Sequence, residues 1–211
     1  MKFQEFKQKV LGFAIISTSH LNSLGENPQM LRNQLTQWQE RGLVIRLRKG
    51  LYLLAEHDRR FTPSRIFLAN QLYQPSYVSS EYAMGFYDLI PERVADVTSV
   101  SPKKTTSFEN QFGRFIFQHV KQTCFQGYTI LQDENNWTVF IAEPEKALMD
   151  YFYLNSSLFG NEIEEVFDSL RLQNLRSLRT KKIKEYASIF HSKKLMSVAY
   201  TCIEYVSKAG K

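Results

Sequence analysis

The stretch Glu40-Arg-Gly-Leu-Val-Ile-Arg-Leu-Arg-Lys-Gly-Leu-Tyr-Leu-Leu54 constrains the fold most, because it reads as a helix end running directly into a basic β-hairpin. Leu43, Ile45 and Leu47 alternate with Val44, Arg46 and Arg48, the period of a half-buried strand. Lys49-Gly50 supplies a turn, and Leu51 to Leu54 reads as the returning strand. A hairpin with arginines near its tip, placed after an amphipathic helix, is how a winged helix-turn-helix presents its wing to phosphate.

The residues before it support that reading. Lys2 to Leu11 has Phe3, Phe6 and Val10 at helical spacing, and Phe13 to Ile16 reads as a short buried strand. Ser17-Thr18-Ser19 offers N-cap residues for a second helix that Gly25 stops. Asn27 can cap a third helix with Pro28 at its first position, running to about Arg41 before Gly42. In that helix Leu31, Leu35 and Trp38 fall on one face. Gln29, Asn33, Thr36 and Glu40 lie opposite, with Arg32 and Gln37 on the flanks. Amides and guanidinium groups make bidentate hydrogen bonds to adenine and guanine edges in the major groove. The expected division is that Arg32, Asn33, Thr36 and Gln37 read bases, with Gln29 beside them, while Arg46, Arg48 and Lys49 hold the backbone in or beside the minor groove. Ser17 and Thr18, at the start of the second helix, complete the expected DNA-binding set.

Charge distribution agrees. Of the net +6, residues 1–60 carry ten Lys/Arg against five Asp/Glu, residues 61–170 seven against fourteen, and residues 171–211 ten against two. Uniform solvation needs no such segregation, whereas a nucleic-acid face and a separate partner face would produce it. Eight bases against one acid lie between Arg171 and Lys194, where Lys181, Lys182 and Lys184 flank the apolar stripe Ile183, Tyr186, Ala187, Phe190. They form a possible second basic surface, for DNA backbone or an acidic partner, with a merely solvated face as the plain alternative.

Beyond residue 60 the pattern restarts. A polar linker, Ala55 to Thr62, separates an expected winged helix-turn-helix at residues 1–58 from an α+β domain at 62–211. In the latter, helices are expected from Pro63 and over Ser80–Tyr87. Strands follow at Asp96–Val100, Arg114–Val120, Tyr128–Gln132 and Trp137–Ile141, then a helix from Glu143 and three more over Asn161–Leu172, Ser177–Phe190 and Ser192–Ser207. The fold class is therefore α+β: an N-terminal winged helix-turn-helix followed by a mixed α/β domain ending in helices. No run of about 18 apolar residues occurs, so no membrane span is expected and a cytoplasmic protein is.

Signs of catalysis are weak. Glu143, Glu145, Lys146 and Asp150 resemble pieces of a metal-dependent nuclease, but Glu143 and Glu145 are accounted for as a helix cap and an acidic first turn. Glu162, Glu164 and Glu165 read as a second acidic first turn. Cys124 and Cys202 lack neighbours at metal-ligand spacing and are expected to be buried free thiols. No catalytic residue, metal ligand or cofactor site is therefore assigned; a nuclease and a pure protein-interaction module remain the competing readings.

Leu31 through Leu54, with Glu40-Arg-Gly-Leu-Val and Arg48-Lys-Gly-Leu-Tyr52, resembles the N-terminal winged helix of AbiEi-type antitoxins, the transcriptional-regulator half of type IV toxin-antitoxin systems in phage defence. Tyr77-Val-Ser-Ser-Glu-Tyr-Ala-Met-Gly-Phe-Tyr-Asp-Leu-Ile-Pro91, Val97-Thr-Ser-Val-Ser101 and Glu145-Lys-Ala-Leu-Met-Asp150 resemble landmarks of that family's second domain, in the same order. The resemblance implies a DNA-binding antitoxin that represses its own promoter, with a nucleotidyltransferase toxin of the AbiEii type as cognate partner.

Overall fold

The computed structural model describes residues 1–157 and 163–209 of the chain, which is mixed α+β with two sheets. It divides into two compact units, Met1–Ser64 with Phe108–Phe112, and Arg65–Ser107 with Gly113–Lys211.

The first unit runs α1 (Phe3–Val10), β1 (Ile16–Ser17), α2 (Thr18–Asn22), α3 (Pro28–Glu40), β2 (Val44–Arg48) and β3 (Leu51–Leu54), its strands in the antiparallel order β1-β3-β2. Helix α3 begins where the Asn27 side chain accepts from the backbone N–H groups of Gln29 and Met30, at 2.9 and 3.2 Å, with Pro28 at the first position. It ends because Gly42, at φ +68°, lets the Leu43 N–H turn back to the Trp38 carbonyl at 2.8 Å and the Gly42 N–H to the Gln39 carbonyl at 2.9 Å. Leu31, Leu35 and Trp38 then pack with Phe6, Val10, Ile16, Leu21, Val44 and Leu54, the Trp38 ring 4.7 Å from Phe6.

Two details depart from the periodicity. Only Ile16 and Ser17 pair as β1, while Phe13 is 43% exposed. In β2, Val44 and Leu47 are buried instead of an alternating set. The cause is a bulge: Arg46 pairs with Tyr52 and Arg48 with Leu51, leaving Leu47 without a register partner and turning it inward.

From residue 65 onward the chain carries α4 (Arg65–Leu72), β4 (Tyr77–Val78), α5 (Ser80–Phe86), β5 (Val97–Ser101), β6 (Thr106–Asn110, of which Phe108–Asn110 belong to the first unit), β7 (Gly113–His119), β8 (Tyr128–Gln132), β9 (Thr138–Ala142), α6 (Pro144–Leu154), α7 (Ile163–Leu170), α8 (Thr180–Ser188) and α9 (Lys193–Ala209). The sheet order is β6-β7-β5-β4-β9-β8, with parallel β5–β7 and β4–β9 pairs among antiparallel ones. Periodicity missed β6, where Thr106-Ser-Phe-Glu-Asn110 is too polar to read as a strand. The expected helix over Ser177–Phe190 is instead a 3-10 turn, Leu175–Ser177, followed by α8. Of the helix expected over Asn161–Leu172, Asn161 and Glu162 lie outside the described residues. Ile183, Tyr186, Ala187 and Phe190 of the expected stripe are buried, as are Leu195, Val198, Ala199, Cys202 and Val206 on α9. Both cysteines are buried and free, and burial pushes the Cys202 thiol up to about 12. Among the described residues no helix is long and apolar enough to cross a membrane.

Helix α6 holds charge where a core would be apolar: Glu145, Lys146 and Asp150 are all fully buried. Lys146 and Asp150, one turn apart, form an ion pair. The second Asp150 oxygen accepts from Ser79 Oγ at 2.7 Å and Tyr77 OH at 3.2 Å. The ammonium also lies 4.7 Å from the Phe190 ring centre and 5.6 Å from that of Tyr77. Burial, then the Asp150 charge, hold the Tyr77 phenol well above its ordinary range. Removing one partner strands the other in a dry site. Asp150→Ala is expected to cost about 3–5 kcal/mol in urea denaturation, and Lys146→Met with Asp150→Leu less than either single change.

Candidate nucleic-acid interface

The N-terminal unit brings some of the expected DNA-binding residues together and spends others on its own architecture. Ser17 caps α2: its Oγ accepts from the His20 N–H at 3.3 Å, and its own N–H donates to His20 Nδ1 at 3.3 Å. The same Oγ lies 2.6 Å from Ser19 Oγ. Thr18 ties α2 to the hairpin turn, its N–H donating to the Gly50 carbonyl at 3.0 Å and its hydroxyl to the same oxygen at 3.2 Å. Both residues serve as scaffold before any ligand arrives.

On α3, Gln29, Arg32, Asn33, Thr36 and Gln37 are all exposed, as their spacing predicts. Gln29 Nε2 donates to Asn33 Oδ1 at 3.2 Å, so these two amides are linked. The Thr36 hydroxyl donates to the Arg32 carbonyl at 3.1 Å, a local bond that leaves its oxygen able to accept. No hydrogen-bond or ion-pair partner is present for Arg32 or Gln37 among the described residues. On the hairpin, Arg46 is exposed and equally unpartnered, as is Lys49 at the turn. Arg48 differs: it is half-buried, and its Nη1 donates to the Lys49 carbonyl at 3.2 Å.

A cleft of about 390 Å³ separates α3 from the hairpin, and Thr18, Arg32, Thr36, Arg46 and Lys49 line it. Ser17, Gln29, Asn33, Gln37 and Arg48 do not; the amides continue the surface outward around α3. The cleft also takes in Gln39 and Tyr52, which sequence spacing passed over. Tyr52 sits opposite Arg46 in the sheet register, so the strand period alone could have found it. The single acid on the lining, Glu26, lies 3.9 Å from the Met1 ammonium. Three cations therefore converge on one opening whose only carboxylate is already paired.

The C-terminal basic run resolves differently. Lys182 is half-buried and pairs with Glu143, which raises the lysine above its ordinary value. The Lys184 ammonium lies 5.7 Å from the Tyr200 ring centre. Lys181 is exposed, with no ion pair among the described residues. Of the three, Lys182 is occupied in holding α8 to the start of α6.

The acids once readable as nuclease ligands are likewise engaged. Glu143 makes no side-chain cap on α6, against expectation; it pairs instead with Lys182 and, at 3.0 Å, with Arg179. Glu145 accepts from the Arg179 backbone N–H at 2.8 Å and from its Nε at 3.0 Å, so the first turn of α6 anchors the start of α8. Sequence spacing could not anticipate this, because the partner lies 34 positions away. Among the described residues no group of three or more His, Cys, Asp or Glu side chains could hold a metal ion.

No protein-family model matches this chain, and no curated protein matches its sequence.

Gly50 is a position where this site tolerates little change. Its φ is +82°, and an added Cβ would stand 2.6 Å from Thr18 Oγ1. Gly50→Ala is expected to destabilise the protein by about 1–3 kcal/mol through backbone strain and loss of the Thr18 bond, read as a lowered thermal midpoint.

Proposed function

We propose that this chain is a DNA-binding transcriptional regulator whose N-terminal unit is a winged helix-turn-helix, with α3 as recognition helix and β2–β3 as wing. The observation that carries the reading is the set of unspent cations around one cleft, Arg32 on α3 and Arg46 and Lys49 on the hairpin, their side chains not engaged within the described residues. A long basic side chain held free costs a protein nothing, yet three of them around one cleft lower the energy of a phosphate backbone that enters it. The helix contributes what phosphate contacts cannot, a row of amides able to read base edges.

The likeness to AbiEi-type antitoxins extends the proposal: the regulator acts on its own promoter, in phage defence, and has a nucleotidyltransferase toxin as partner. A gel-shift titration against the DNA upstream of its own coding sequence, with and without magnesium, tests the core of this. Magnesium-independent, sequence-preferring binding without cleavage is the expected result; magnesium-dependent cleavage would instead make it a nuclease, and no binding would leave a protein-interaction module.

The individual residues separate by mechanism. Arg32→Ala is expected to cost about 1–3 kcal/mol and relax preference at one base pair. Arg46→Ala and Lys49→Ala should each weaken all sequences alike and lower the magnitude of the log-affinity against log-salt slope by about 0.9. Arg48→Ala should change the slope less, since its guanidinium is turned onto the Lys49 carbonyl.

A further inference from the structure

Met30 is 56% exposed on α3, about 60° around the helix from Asn33, one member of the linked Gln29–Asn33 amide pair. Single exposed apolar side chains are ordinary, so exposure alone says little. Position says more: Met30 is the third residue of α3, in the first turn of the helix, where a recognition helix meets base edges. The core residues Leu31, Leu35 and Trp38 lie on another face of the helix.

The Gln29–Asn33 bond matters as much. With Gln29 Nε2 donating to Asn33 Oδ1, Gln29 keeps a free carbonyl oxygen and Asn33 keeps free N–H donors. Reversing which amide donates leaves the same complement. The pair thus presents one acceptor and one donor side by side, already ordered before any ligand binds. In the major groove, adenine offers the reciprocal pair, its N6 amino group as donor and N7 as acceptor, and its partner thymine adds a 5-methyl group. Met30 and Asn33, three positions apart on a helix, have Cβ atoms roughly 5–6 Å apart, the scale of one to two base steps.

We infer that the first two turns of α3 are built to read an A·T pair, the linked Gln29 and Asn33 amides taking adenine N6 and N7 and the Met30 thioether chain packing on the thymine methyl. This rests on the DNA-binding reading and deepens it by naming the base pair. Arg32 on the other flank of these amides, and Arg46 and Lys49 across the cleft from it, supply the positive charge that would hold the duplex.

The test uses the full chain and a duplex that it selects from a random-sequence pool, measured by fluorescence anisotropy. The same duplex is then made with deoxyuridine in place of thymidine, which keeps every Watson–Crick group and removes only the 5-methyl. The wild-type protein is expected to lose about fourfold in affinity for one methyl contacted, the equivalent of about 0.8 kcal/mol. Met30→Ala should bind the thymidine and deoxyuridine duplexes equally, and with an unchanged thermal midpoint because the side chain is exposed. In a second arm, 7-deazaadenine at the same pair should weaken the wild type while leaving Asn33→Ala insensitive. Indifference of the wild type to deoxyuridine, equal sensitivity of Met30→Ala, or equal sensitivity of Asn33→Ala to the deaza base overturns the inference while leaving DNA binding standing. Failure to bind or enrich any duplex removes the DNA-binding reading itself, and this inference with it.

Discussion

The candidate interface depends on one long-range pairing, that of β1 with β3. Ile16 pairs with Tyr52 and Ser17 with Leu51, and Thr18 continues the ladder by donating to the Gly50 carbonyl. Closing a loop of that length costs on the order of 3 kcal/mol in chain entropy before any contact within it is counted. What lies inside the loop is the whole helix pair, α2 and α3. Burial of Leu31, Leu35 and Trp38 against Phe6, Val10 and Val44 offsets that cost, and the same closure fixes the distance between the α3 surface and the hairpin tip. Gly50 permits it twice over, by adopting positive φ and by having no Cβ to strike Thr18.

A different constraint governs the second unit. Buried carboxylates and ammonium groups are expensive to desolvate, and α6 buries three of them. Lys146 pairs with Asp150 within the helix, and the two carboxylates are satisfied from other segments of the chain: Asp150 by Tyr77 of β4 and by Ser79 just after it, and Glu145 by Arg179 at the start of α8. A misplaced β4 or α8 would leave a charge unpaired in a dry interior, so these contacts penalise alternative packings more than they stabilise the native one. The chemistry that made Glu145 and Asp150 look like nuclease ligands is here the chemistry of a fully occupied network.

The sequence made α3 legible down to its caps, because Asn27, Pro28 and Gly42 act on the backbone through local bonds and need no distant partner. Its outward face was legible for the same reason: Leu31, Leu35 and Trp38 settle the helix phase, and the exposure of Gln29, Arg32, Asn33, Thr36 and Gln37 follows. Where the reading ran out, long-range partners decided. Strict alternation in β2 failed at the Leu47 bulge, which belongs to the pairing with β3. Glu143 looked like a helix cap until Arg179 and Lys182 came to it from α8. Ser17 caps α2 as its local sequence allowed, but the bond from Thr18 to the Gly50 carbonyl, across 32 positions, was not legible. Strand β6 escaped because neither face of Thr106–Asn110 is strongly apolar.

These distinctions change what a count of charges means. Lys182 and Arg48 contribute to a basic composition as fully as Arg46 and Lys49 do, yet the first two are held by Glu143 and by a backbone carbonyl. In the proposed complex, only cations without such a partner can gain a phosphate without first losing something, so affinity would fall to Arg46 and Lys49, with Arg32 equally free to reach a base edge. Those side chains are unrestrained, and each must lose rotamer freedom of up to about 2 kcal/mol as it is ordered. The Gln29 and Asn33 amides stand in the opposite position: their mutual bond has ordered them in advance, and the free donor and acceptor they retain cost little to use. Mobile cations suit a backbone whose charge is the same everywhere, and ordered amides suit base edges whose pattern is not. On the proposed reading, strength and selectivity of binding would fall to different side chains, separated by whether the fold has already spent their hydrogen bonds.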